Sequence, residues 1–316
     1  MSTATPVSEP GAAIGASAPL RAAPRRARAG RTGPVLAVIA AILAVWYVAA
    51  VPMNWPTVGA RLATANGGTP PAPWTHMLAT WSAERPVLPA PHQIATEIWR
   101  TTVNVRPTSP RSLLFHAQVT LSSTLLGFAM GSVLGILIAV GILHSRTLDR
   151  SLMPWVIASQ TIPILAVAPM IIVVLNSVGV TGLVPKAIIS TYLSFFPVTV
   201  GMVKGLRSPD RMHLDLMRTY GASRLQTLMK LRAPASLPFL FASMKIAVAA
   251  ALVGAIVGEL PTGAQAGLGA RLLAGSYYGQ TIQIWSALVA ASLLAGLLVA
   301  LVGVAETIAV KRMGGR

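Results

Sequence analysis

The side chains whose types and spacing could do chemistry gather in one stretch, Asp215 to Pro238, a polar and basic island in an otherwise apolar chain. Its chemistry is that of a docking surface rather than of bond making. Upstream, Ser208-Pro209-Asp210 reads as a helix start, with Ser as N-cap, Pro at the first helical position and Asp facing the positive end of the dipole. Gly221 supplies the permissive backbone that closes this short helix. Ser223 can cap a second one, in which Leu225, Leu228 and Met229 recur at i, i+3, i+4. Pro234 should stop that helix, because the residue before a proline avoids the α region. The expected result is a helix-Gly-helix elbow over 205–235.

Other reactive patterns are missing from the sequence. No Gly-x-x-x-x-Gly-Lys-Ser/Thr phosphate loop is present, so the chain does not split ATP by that route. The five histidines, His76, His92, His116, His144 and His213, pair with no carboxylate at ligand spacing, and no metal site is expected. Gly-x-Ser-x-Gly is missing, and the eight acidic residues form no paired-carboxylate site, so an enzyme is not expected. The chain has no cysteine, which excludes disulfides.

The elements that must hold the elbow are membrane spans. Of 316 residues, 54% are hydrophobic and only 10% charged, against about 25% charged in ordinary soluble domains. The formal charge of +17 could suggest nucleic acid, but the basic residues lie between apolar runs rather than on an aromatic-laced surface.

Residues 1–34 read as a disordered basic cytoplasmic tail. The run 35–53 reads as a first span, the alternative being a signal-peptide core. Residues 54–112 are too polar to span and should be extracytoplasmic. Within them Ile94, Ile98 and Trp99 mark either an interfacial amphipathic helix or a short helix packed on the protein itself. Five further spans are expected near 114–143, 153–177, 182–204, 237–259 and 283–309, forming a core over 113–310 with a basic tail at 311–316. Gly127-x-x-x-Gly131-x-x-x-Gly135 puts three glycines on one helix face, a packing seam or, alternatively, a gate. With both termini cytoplasmic, most of the 25 Lys and Arg fall inside, as the positive-inside rule requires.

The elbow resembles the signature cytoplasmic loop of permease subunits of bacterial ATP-binding-cassette importers: Glu-Ala-Ala, three residues, Gly, nine residues, then Ile-x-Leu-Pro. Here Gly221 is the glycine, and Leu231-Arg232-Ala233-Pro234 stands at the right distance. Asp215 occupies the Glu position. Leu216 and Met217 replace the two alanines, and Leu231 and Ala233 replace Ile and Leu, so the elbow face should be bulkier than is usual. The resemblance covers roughly 88–310, including Gly258-Glu259 followed by Gly267-Leu268-Gly269. It is most similar to the subfamily importing nitrate, sulfonates, taurine and pyrimidine-type vitamin precursors. The loop 258–269 looks closer to the vitamin-precursor and pyrimidine branch than to the sulfonate branch.

The resemblance implies an all-α, six-span permease of the type I importer kind, in the bacterial inner membrane, dimeric with itself or with a similar chain. It implies cytoplasmic ATPase subunits, which use ATP and Mg while this chain binds no cofactor, and an extracytoplasmic solute-binding protein. The elbow would seat in a groove of the ATPase, with Leu214, Met217 and Tyr220 as apolar anchors and Arg218 and Arg224 at the rim. Asp215, Gly221, Ala222, Ser223, Leu231 and Pro234 complete the coupling set. Residue physics alone equally allows a surface helix held by anionic lipid.

Three polar features lie in or near the spans. Gln160-Thr161-Ile162-Pro163 interrupts the third span, and reads as part of a translocation path or as a kink in a packing helix. Lys245 should reach toward the cytoplasmic interface. Glu259, at the end of the fifth span, is either a gate or an interfacial carboxylate. The rival function is a secondary transporter or channel driven by an ion gradient, for which no internal repeat or deep acid is found.

Overall fold

The computed structural model describes residues 32–69, 71–261 and 264–313. The tail expected over 1–34 lies outside these except for its last three residues, as does the end of the basic tail at 311–316. The described chain is helical: α1 Thr32–Ala65, α2 Pro73–Trp81, α3 Pro91–Thr102, α4 Leu113–His144, α5 Arg146–Ala158, α6 Ile164–Ser177, α7 Leu183–Leu206, α8 Arg211–Thr219, α9 Arg224–Thr227, α10 Ala233–Gly258, α11 Leu268–Tyr277 and α12 Thr281–Arg312. Five stretches are long and apolar enough to cross a membrane: α1, α4, α7, the continuous run Arg224–Gly258, and α12. A bent pair makes a sixth if it counts as one span.

The chain divides into two compact units, 1–45 and 46–316. In the first, the described residues form one helical stretch with Val35, Leu36, Val38 and Ile39 outward.

In the second, α4 packs along α7 and α7 along α10. Small residues explain how closely they approach. A Cβ on Gly127 or Gly131 would collide with Ser190 or Ser194 of α7, and one on Gly135 with the Phe195 carbonyl. Farther along α7, Gly201 and Gly205 meet Ser243 and Ser236 of α10. The three-glycine stripe is therefore a packing seam. In lipid such seams replace the hydrophobic drive between helices with close van der Waals contact.

Two expected boundaries are corrected. α1 does not end near Met53 but runs through Pro52 and Pro56 to Ala65. Inside it Asn54 is fully buried. Its Nδ2 donates to the Leu88 (2.8 Å) and Thr80 (3.2 Å) carbonyls, while its Oδ1 accepts the N–H groups of Val87 and Leu88. These bonds tie the following segment to α1. The third span, expected over 153–177 with an interruption at Gln160–Pro163, starts earlier and bends sharply there: the helical pieces Arg146–Thr161 and Ile164–Ser177 meet at 100°. Pro163 has no N–H to give, and Ile162 before it is extended at φ −80°, ψ 120°. Neither piece, at 1.5 Å per residue, crosses about 30 Å of hydrocarbon alone.

α3 forms where Ile94, Ile98 and Trp99 mark it. Ile94 is buried and Ile98 packs on the cluster of Leu113, Leu268 and Ala291, while Trp99 points outward. The helix thus packs on the protein itself.

Candidate functional site

The elbow is built much as its residues dictate, with two differences. Gly221 sits at φ +67°, and after it the Ala222 N–H reaches back to the Met217 carbonyl (2.9 Å), closing α8. Ser223 caps α9: its Oγ accepts the Gln226 N–H, and the Gln226 side chain accepts the Ser223 N–H. The helix start differs from expectation. Asp210, not Ser208, is the N-cap of α8, and Ser208 Oγ donates instead to the Gly205 carbonyl at the end of α7.

Pro234 also does not stop the second helix. A π segment, Leu228–Arg232, carries the chain from α9 into α10: the Ala233 N–H reaches back to the Leu228 carbonyl, and Pro234, with no N–H to place, follows in the first turn of α10. The elbow is therefore continuous with the fifth span. Arg232, inside the π segment, donates from Nη1 to the Leu206 carbonyl (2.8 Å), pinning the start of α10 to the end of α7.

Side-chain directions sort the expected coupling residues. Tyr220 is 80% exposed, with Met212 and Leu216 outward beside it. Leu214, Met217 and Ala222 are half-buried, as is Leu231, whereas Gly221, Ser223 and Pro234 are exposed. The expected apolar stripe of the second helix divides in the same way. Leu225 and Met229 face out, and Leu228 faces in. Asp215 pairs with Arg218 at 3.0 Å, one turn along α8. Of the apolar anchors that the resemblance implied, Leu214, Met217 and Tyr220, Tyr220 faces out, and Met212 and Leu216 are the exposed apolar side chains beside it.

At the break between α5 and α6, Gln160, Thr161 and Pro163 are exposed. The Thr161 hydroxyl is spent on the Ala158 carbonyl (2.8 Å), and Tyr192 of α7 donates its hydroxyl to the Ser159 carbonyl. Trp155, Leu165, Met170 and Val173 leave an apolar face outward on the two pieces.

Glu259 follows the last residue of α10, some 39 Å along that helix from the elbow by a rise of about 1.5 Å per residue. It is fully buried and lines no open surface. The Thr120 hydroxyl of α4 lies 3.0 and 2.9 Å from its two carboxylate oxygens, and the Gly269 N–H donates to Oε2 (2.9 Å). Two neighbouring amides complete a latch. The Leu268 N–H donates to Thr120 Oγ1 (2.8 Å) and the Gly267 N–H to His116 Nδ1 (3.1 Å). Because Nδ1 accepts, His116 carries its proton on Nε2, which donates to the Pro110 carbonyl (2.9 Å). Gly267 stands at φ +126°, and a Cβ there would strike the carboxylate. Burial pushes the Glu259 carboxyl up to about 7, against the opposing pull of the Gly269 N–H, Lys186 and Thr120.

That His116 and Thr120 join Glu259 in one latch is not legible in the sequence. They stand 139 residues or more from it along the chain, and only their i, i+4 spacing on α4 hinted at a shared face. Lys245, expected to reach toward the cytoplasmic interface, pairs with Glu306 near the C-terminal end of α12 at 2.5 Å.

Comparison with known proteins adds the family. Residues 131–315 match the family described as binding-protein-dependent transport system inner membrane component. The chain is 32% identical over 196 residues to a probable ABC transporter permease protein of Haemophilus influenzae, covering 62% of this chain and 75% of that one. It is 35% identical over 184 residues to a formylaminopyrimidine transport permease protein of Halalkalibacterium halodurans, covering 58% and 68%. It is 32% identical over 225 residues to a riboflavin transport system permease protein of Chloroflexus aurantiacus, covering 71% and 80%.

Proposed function

We propose, because this chain belongs to the family of binding-protein-dependent transport system inner membrane components, that its elbow is the part through which a separate ATPase drives it. The observation that carries this reading is the outward face of α8: Met212, Leu216 and Tyr220 stand exposed on a short helix whose half-buried residues, Leu214 and Met217, lie on the opposite side. An amphipathic helix so presented fits a helix-in-groove contact. The continuity of α9 with α10 through the π segment gives a push on the elbow a direct route to the fifth span.

In this reading the elbow faces the cytoplasm and both termini lie there, as the charge bias supports. ATP and Mg are used by the ATPase, and this chain binds no cofactor. A second permease subunit, the same chain or a similar one, covers the apolar face of α5 and α6, and the path lies between the two subunits near Gln160, Thr161 and Pro163. Glu259 serves this path indirectly, by latching the 260–269 loop to α4. An extracytoplasmic binding protein delivers a small organic solute. The similarity to permeases named for formylaminopyrimidine and riboflavin supports a heterocyclic vitamin or vitamin precursor.

Uptake in cells expressing the whole system tests the energy source. Depleting ATP should abolish it and an ionophore should spare it. Gly221→Trp should remove it while membrane insertion stays intact. Uptake that survives ATP depletion and collapses with the ionophore would assign the chain to gradient-driven transport instead.

A further inference from the structure

Behind the elbow lies a cavity of about 750 Å³ whose walls come from the α4–α5 corner, the end of α7, the inner face of α8 and α9, and the π segment. Five guanidinium groups line it, from Arg146, Arg207, Arg218, Arg224 and Arg232, with Asp149 as the one carboxylate. Asp149 is taken by Arg207 at 2.8 Å, and Arg218 leans to Asp215 on its own helix. Arg146, Arg224 and Arg232 have no carboxylate within 4 Å among the described residues. The residues proposed to meet the ATPase, Met212, Leu216 and Tyr220, are not in its walls. The exposed apolar face and the cavity thus use different side chains, although Arg218 and Arg224, expected at the rim of the ATPase groove, also line the cavity.

Like charges converging on one concave space raise the local concentration of anions. Guanidinium forks match phosphate oxygens in geometry as well as in charge. The cavity also sits where α4 and α7 end and α10 begins, the level at which a lipid phosphate would lie if these helices span the membrane. We propose that this cavity binds a phosphate group, held by Arg146, Arg207, Arg224 and Arg232, and that the bound anion ties the α4–α5 corner to the elbow. The phosphate belongs either to an anionic lipid or to a soluble phosphate compound.

The full chain in detergent micelles allows the test, since binding is read without transport. Native mass spectrometry compares retention of phosphatidylglycerol with phosphatidylcholine, and titration calorimetry compares inorganic phosphate with chloride. The proposal expects preference for phosphatidylglycerol, for phosphate, or for both, the pattern naming the source. Arg146→Gln with Arg207→Gln should lower that preferred binding about ten-fold or more, through lost charge-assisted contacts. Arg85→Gln with Arg106→Gln, an equal charge loss between α2 and α4, should not change it. His144→Glu, which sets an acid in the cavity wall at an exposed position, should lower it too and decides the matter if the double variant does not fold. No preference for either phosphate probe, or equal loss in the Arg85/Arg106 pair, overturns the proposal.

Discussion

Replacing Glu259 with Ala is the sharpest way to ask whether the 260–269 loop is latched to α4. In the parent chain three consecutive amides, Gly267, Leu268 and Gly269, each donate to a side-chain acceptor, His116, Thr120 and Glu259 respectively. Glu259→Ala removes the acceptor of Gly269 and one partner of the Thr120 hydroxyl, in a place no solvent reaches. Leaving a buried donor without its acceptor costs about 1–3 kcal/mol. With about 1.4 kcal/mol to each factor of ten, the Gly269 amide should exchange with deuterium roughly 10- to 100-fold faster. Leu268 should follow by a smaller factor, because Thr120 keeps the His116 carbonyl as an alternative partner at 3.2 Å. Ile142, buried near the far end of α4, should be unchanged. Hydrogen exchange read by mass spectrometry at single-residue resolution measures all three. Unchanged protection at both Gly269 and Leu268 would refute the latch.

Two further outcomes follow from the packing and the charge. With the Glu259 carboxyl raised from 4.5 to about 7, the folded loop holds its proton where the open loop has lost it. Protection should therefore be greatest below pH 4.5, fall as pH rises toward 7 and level off above, and Glu259→Gln should flatten the profile between those limits. Gly131→Leu, whose side chain has no room beside Ser194, should force α4 from α7 and sharply lower the yield of folded protein, whereas Gly296→Leu, with open space around it, should not. Size-exclusion profiles of the two variants in detergent check this.

Much of this architecture is legible in the residues, for identifiable reasons. Four spans, α4, α7, α10 and α12, are long apolar runs, and they lie within a few residues of their expected limits. The glycine stripe on α4 is readable because a repeat at four-residue spacing puts three small residues on one helix face. Gly221 and Ser223 are readable because closing and capping a helix are local acts. What was not legible depends on distant partners. Whether Pro163 merely kinks a span or bends it by 100° is decided by what packs on either side. Pro234 does not end the second helix because the π segment carries the chain on into α10 with the proline in its first turn. The outward set Met212, Leu216 and Tyr220 differs from Leu214, Met217 and Tyr220 by a rotation of α8. Only its contacts with the rest of the chain fix that rotation.

The most direct measurement is co-purification of the partner ATPase with this chain, parent against Leu216→Asp with Tyr220→Asp. Both side chains lie on the exposed face of α8, so the double variant should insert and fold as the parent does. Placing two carboxylates in an apolar groove should release the ATPase and abolish ATP-driven uptake together. An ATPase that stays bound to the double variant at parent levels, with uptake intact, would contradict the assignment of this elbow as the coupling element.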